Sequence, residues 1–191
     1  NIIVFGRCED YGTCTQNDIQ YSLFSLDHAK EILAKTKHLD KLPQMHLCIN
    51  SGMNRYGVRE KKECKKIIDL LRKKGIALAG IYTHFSSLTT DEEYTKRQYK
   101  IFQEFCTLIP NDWQTIKHLG GGKSIFCDFC VDMYRVGIEV YGYGYNRVKP
   151  VLSVKSTIVD VQKVKAGEHI GYLCGYTAKT DMKVATIPLG Y

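Results

Sequence analysis

The sequence predicts an α/β fold, the C-terminal part of a TIM (β/α)8 barrel followed by the start of an antiparallel β domain. Three observations predict it. Short β-branched and aromatic runs alternate with amphipathic helical patterns up to about residue 147, as in a parallel sheet with helical crossovers. None of these runs leads into a Gly-x-Gly-x-x-Gly turn, which disfavours a dinucleotide-binding sheet. After Pro150 the texture changes to period-two alternation with no helix between segments. The barrel part is assigned to residues 1–147 and the β part to residues 148–191. A complete barrel takes about 250 residues, so roughly a quarter of it is expected upstream.

Strands are predicted at residues 2–5, 21–25, 45–49, 77–85, 115–119 and 134–141. The first helix is expected over 27–37, with Leu26, Ala29, Ile32 and Leu33 on one face. The second, over 60–74, places Cys64, Ile67, Ile68 and Leu71 at i, i+3, i+4 and i+7, and Gly75 sits where a left-handed helix terminus would fall. The third opens on Thr90-Asp91-Glu92-Glu93, read as a capping box between Thr90 and Glu93. Its apolar stripe comprises Tyr94, Ile101, Phe102, Phe105, Leu108 and Ile109, and Pro110 stops it. Beyond Pro150, a strand over 151–164, a turn at Ala166-Gly167-Glu168 and a strand over 184–187 are predicted.

Composition narrows the classes. The 191 residues are 44% hydrophobic and 25% charged, as in an ordinary folded chain. No apolar run approaches the roughly 18 residues of a membrane span, so this segment is expected to touch no membrane. The N-terminus has no initiator Met and no basic stretch before an apolar one. It reads as a strand entered midway through a longer protein rather than a leader peptide. The net charge of +7 is spread over helix faces, such as Arg59 to Lys66, without interleaved aromatics, so no nucleic-acid partner is expected. Eight cysteines in a chain with enough apolar residues to fold unaided are read as reduced, cytoplasmic thiols. Cys127-Asp-Phe-Cys130 lacks a second pair, so no metal site is assigned.

Reactive groups in a barrel sit at the C-terminal ends of its strands. Three polar clusters fall there: Asn50-Ser51-Gly52-Met53-Asn54-Arg55-Tyr56-Gly57, Thr83-His84-Phe85-Ser86, and Asp132-Met133-Tyr134-Arg135-Val136-Gly137-Ile138. Gly120-Gly121-Gly122-Lys123-Ser124 follows the penultimate strand, where barrels commonly bind phosphate through backbone N–H groups. Arg135 lies among apolar neighbours, and a guanidinium directed into a barrel must find an acceptor.

These clusters, continued by Tyr141-Gly142, by Gly171-Tyr172 with Tyr176-Thr177-Ala178, and by Ile187-Pro188-Leu189-Gly190-Tyr191, resemble the successive motifs of the alanine racemase family in order and spacing. The resemblance implies a pyridoxal 5'-phosphate-dependent homodimer that racemises a small amino acid, L-alanine to D-alanine, with a lysine and a tyrosine as its two bases. It implies that Arg135 faces the pyridine nitrogen and that Gly137 and Ile138, aided by Gly121 and Gly122, hold the phosphate. Arg55 would contact the cofactor's phenolic oxygen and the substrate carboxylate. Tyr172 would be the base on one face of the α-carbon in the neighbouring subunit, with His84 close to it and to Arg135.

The chain also departs from the family pattern. The family's cofactor lysine lies on the first barrel strand, upstream of Asn1, so these 191 residues alone are expected not to racemise L-alanine. Cys48 stands where many members carry a modified lysine that steadies Arg55, and Gly121-Gly122 replaces the usual Asn-Ser or Ser-Ser. Three alternatives share the framework: a serine racemase of the vancomycin-resistance type, which a membrane domain could precede, a non-catalytic pyridoxal-phosphate carrier, and a degenerate relative kept for binding.

Overall fold

The structure is a computed structural model that describes residues 2–88 and 90–190. Tyr191, which closes the last of the motifs above, lies outside the described residues. The chain divides into two compact units, Asn1–Lys149 and Pro150–Tyr191.

In the first unit six strands pair in parallel and in chain order: β1 (Ile2–Val4), β2 (Ile19–Leu23), β3 (Met45–Cys48), β4 (Gly80–His84), β5 (Ile116–Gly120) and β6 (Met133–Arg135). Helices α1 (Tyr11–Gln16), α2 (Leu26–Thr36), α3 (Lys61–Arg72) and α4 (Glu92–Cys106) make crossovers between them. Side chains alternate along each strand. One parity supplies Tyr21, Leu23, Met45, Leu47, Ile81 and Leu119 to a core shared with Ala29, Ile32, Cys64, Ile67, Leu71, Phe102 and Phe105 of the helices. The other parity carries Ser22, His46, Tyr82 and His118, all buried. Their contacts reveal the curvature. Strands spaced about 4.8 Å apart would hold β1 and β4 about 14 Å apart in a flat sheet. Yet the rings of Phe5, just past β1, and Tyr82 on β4 are 5.3 Å apart. The sheet therefore curls around its buried polar face, as part of a barrel wall does, with β1 and β6 as its edges.

The helix ends show where local chemistry decides. Gly75 adopts φ +68°, with its N–H bonded to the Arg72 carbonyl and the Ile76 N–H to the Leu71 carbonyl. That is the predicted left-handed terminus of α3. At α4 the expected box is replaced. Asp91 is the cap, accepting the Tyr94 N–H at 2.9 Å, whereas Thr90 bonds to the Ser87 hydroxyl. A carboxylate is the stronger acceptor at the positive end of a helix. Ser25, predicted as a strand end, instead caps α2 by accepting the His28 N–H. Helix α1 has only six residues, too short to show an apolar period, and was not predicted.

Several predicted strands are shorter than expected, among them the fourth, which is Gly80–His84 rather than 77–85. The sixth ends at Arg135, because Gly137 leaves the extended region (φ −115°, ψ −105°) and starts a 3-10 turn at Ile138–Tyr141. In the second unit β7 (Asp160–Val164) pairs antiparallel with β10 (Met182–Thr186), and β8 (His169–Ile170) with β9 (Tyr176–Thr177). Residues 151–159 have no regular structure despite their alternation, since a period of two specifies which side chains share a face and does not by itself make a ladder. Among the described residues, no helix is long and apolar enough to cross a membrane.

Candidate active site

The carboxyl ends of the parallel strands converge on a cavity of about 420 Å³. Its wall brings together seven of the predicted site residues: Arg55, His84, Gly121, Gly122, Arg135, Gly137 and Ile138. They come from four separate strand ends, which only a parallel sheet aligns at one rim. Tyr172 is not among them. It sits in the second unit in a 3-10 turn and is 98% exposed. A larger cleft of about 910 Å³ lies beside the start of α4, but none of the predicted residues lines it.

Arg135 is the best-defined group. One amine nitrogen lies 2.6 Å from His118 Nδ1 and the other donates to the Thr83 carbonyl at 3.0 Å. Its guanidinium packs on the rings of Tyr82 (4.7 Å) and Phe5 (4.8 Å). No carboxylate pairs with it among the described residues. Burial pulls its pKa down to about 10, which leaves it charged at neutral pH. Room for it is made by Gly120 on β5. A Cβ there would run into the Arg135 guanidinium and the His84 ring.

Behind Arg135, His118 Nε2 lies 2.8 Å from His46 Nδ1, and His46 Nε2 lies 2.7 Å from the Gln20 amide oxygen. Burial and the Arg135 charge lower His46 to about 4 and, with His46 adding to them, His118 to about 2. His84 is lowered to about 4 by burial, then by Arg135 and Arg55. All three rings are neutral at pH 7. The His84 ring lines the cavity beside Arg135, while the hydrogen bond to the guanidinium is made by His118.

Arg55 is exposed and lies 4.8 Å above the Tyr56 ring, with a 3.3 Å bond to the Tyr56 hydroxyl. Cys48 is buried, and its thiol reaches the Tyr56 carbonyl at 3.8 Å. The support for Arg55 is thus an aromatic face. Helix α4 braces the loop that carries it. Tyr94 donates to the Gly52 carbonyl at 2.9 Å, and buried Gln98 ties Ser51 to Ser86 and the His84 carbonyl.

Sequence reasoning missed Phe5, His46, Tyr82, His118, Gln98 and Glu139. The parity of Arg135 was a usable signal for three of them. His46, Tyr82 and His118 are polar residues on strand positions that share its face.

Comparison with known proteins decides the family. The model of the alanine racemase N-terminal domain matches residues 1–145, and that of the alanine racemase C-terminal domain matches residues 151–191. The chain belongs to the alanine racemase family. Alanine racemase 1 of Oceanobacillus iheyensis is 30% identical over 205 aligned positions, covering 100% of this chain and 54% of that protein. The alanine racemase of Streptococcus uberis is 32% identical, covering 92% of this chain and 50% of its own length. Among solved structures, the alanine racemase of Clostridium difficile superposes with a TM-score of 0.79 at 29% identity, covering 100% of this chain and 54% of that one. The Bartonella henselae alanine racemase, solved with covalently bound pyridoxal phosphate, shares the fold (TM-score 0.76, 20% identity, 100% and 55% covered). This alanine racemase family chain spans about half the length of the relatives it matches.

Proposed function

We propose that the protein carrying this chain racemises alanine in the cavity at the strand ends, using pyridoxal 5'-phosphate. The reading is supported above all by Arg135, a part-buried cation with no carboxylate partner among the described residues, lining a cavity that the glycine turn also lines. The residues fit such a ligand. A guanidinium has five donors, and two acceptors, His118 and Thr83, are bonded to it here. The N–H groups of Gly137 and Ile138 donate to no backbone carbonyl among the described residues. They and the Gly121-Gly122 turn would hold the phosphate.

When bound, pyridoxal phosphate supplies an electron sink for the α-carbon's bonding pair. Arg135 keeps its proton and offers only N–H groups, so it would leave a pyridine nitrogen held against it unprotonated and would moderate the sink. Arg55, steadied on Tyr56, orients the substrate carboxylate. Tyr172, supplied by the neighbouring subunit of a homodimer, takes or returns the proton at the α-carbon on one face, and His84 stays neutral beside it. The opposite face needs a lysine that none of these residues provides, so the isolated 191-residue chain is expected to turn nothing over. A cytoplasmic location is part of the same reading, supported by eight cysteines in a chain with enough apolar residues to fold unaided.

The test is D-alanine formation from L-alanine by the whole protein with pyridoxal phosphate. Cofactor-dependent turnover is expected, with Arg135→Glu lowering it at least about a hundredfold because a carboxylate reverses the field at the ring. Absence of any cofactor-dependent product would sink the reading.

A further inference from the structure

Among the described residues, Glu139 is the only carboxylate on the wall of the 420 Å³ cavity. It follows Ile138 in the 3-10 turn after β6, and its side chain turns back over the glycine turn after β5. Both carboxylate oxygens occupy the space where a side chain on Gly122 would begin, and Oε1 lies 3.3 Å from where a Cβ on Gly144 would stand. Oε2 is buried without a hydrogen-bond partner among the described residues. A carboxylate oxygen shut away from water without a donor is unfavourable. This one is held where the rim offers room for an acceptor.

We propose that Glu139 is a built-in anion that fills the phosphate cradle when no ligand is bound and must rotate out when pyridoxal phosphate enters. The inference rests on the phosphate position given above. The carboxylate and a phosphate cannot share the turn, because their volumes overlap and their charges repel. Glu139 thus weakens the hold on phosphate-bearing ligands without touching the Arg135 end of the cavity. The same volume argument explains Gly122. A side chain at 122 would meet the Glu139 carboxylate in this position, so a hydroxyl there would require the acid to turn aside, whereas glycine leaves it in place. Glu139 is a tuning residue for cofactor affinity and takes no part in proton transfer at the α-carbon.

The experiment uses the whole protein, stripped of cofactor, as wild type, Glu139→Gln and Glu139→Ala. Absorbance titrations give Kd for pyridoxal phosphate and for pyridoxal, which lacks the phosphate, and inorganic phosphate is added as a competitor. Removing the charge is expected to lower Kd for pyridoxal phosphate about tenfold and to strengthen competition by inorganic phosphate similarly, since like charges at close quarters are costly. Kd for pyridoxal is expected to stay within about twofold, as its contacts avoid the cradle. Glutamine keeps the size of the side chain, so a change shared by both variants reports charge rather than misfolding. Equal or weaker pyridoxal phosphate binding in both variants overturns the proposal and leaves the racemase reading standing. A wild-type protein that binds no pyridoxal phosphate sinks that reading, and this inference with it.

Discussion

The guanidinium of Arg135 lies 2.6 Å from Nδ1 of His118, and that contact sets the direction of every hydrogen bond behind it. Arginine only donates, so His118 Nδ1 accepts and the ring proton sits on Nε2. His118 therefore donates to His46 Nδ1 at 2.8 Å, and His46 Nε2 donates to the Gln20 oxygen at 2.7 Å. The Gln20 amide then donates to Gln44 at 2.7 Å. A second proton on either ring would face a donor. One charged residue at the mouth thus fixes two tautomers in the barrel interior.

Stability should fall steeply with acid in a window set by these rings. His46 and His84 are lowered to about 4 and His118 to about 2, from an ordinary 6.5. Above pH 6.5 neither the folded nor the unfolded chain protonates them, so they make stability flat with pH. Below it the unfolded chain takes up protons that the folded chain refuses, and stability is lost toward pH 4. Each such histidine contributes up to about 1.4 kcal/mol per pH unit. Denaturant midpoints between pH 7 and 4.5 check this, and His46→Gln should flatten the slope. A midpoint independent of pH over that range would mean the rings are not buried neutral.

Gly120→Ala should destabilise the first unit by about 1–3 kcal/mol, the usual result of overpacking. The new methyl meets the Arg135 guanidinium and the His84 ring, both at the cavity. Urea unfolding measures the loss. Wild-type stability with unchanged cofactor binding would show that the approach of Arg135 to β5 is looser than described.

Gln98→Leu keeps the volume but leaves the Ser86 N–H and the Ser51 hydroxyl without the amide that joins them. A cost of about 1–3 kcal/mol is expected from the unpaired groups. The loops after β3 and β4 should become more open, read as faster amide exchange at Ser51 and Ser86. Unchanged exchange would remove Gln98 from the scaffold of the site.

Tyr172→Phe separates chemistry from folding. The change removes only a phenolic hydroxyl and keeps the ring, so the melting temperature should move little. Turnover by the whole protein should fall by about 10²–10⁴, the range for a lost general base. Full activity in this variant would assign the proton transfer to another group.

Much of the site was legible because barrels place polar residues at strand ends. Position at strand ends marked the clusters that hold Arg55, His84, Gly121, Gly122, Arg135, Gly137 and Ile138, the family resemblance singled these residues out, and they line one cavity. Helix α3 and its Gly75 terminus were readable from spacing alone. The misses have local causes. Asp91 outcompeted Thr90 as a cap, α1 was too short for a period, and the alternation over 151–159 does not become a regular strand.

By itself the sequence determined the order of strands and helices, the parallel architecture and the family, since these follow from backbone periodicity and from motifs in fixed order. Only the tertiary structure decided that the partner of Arg135 is His118, 17 residues away and on the next strand, and that Glu139 lies against Gly122. Such pairings depend on sheet register and curvature, which bring distant side chains within a few ångströms. No local pattern along the chain encodes that distance.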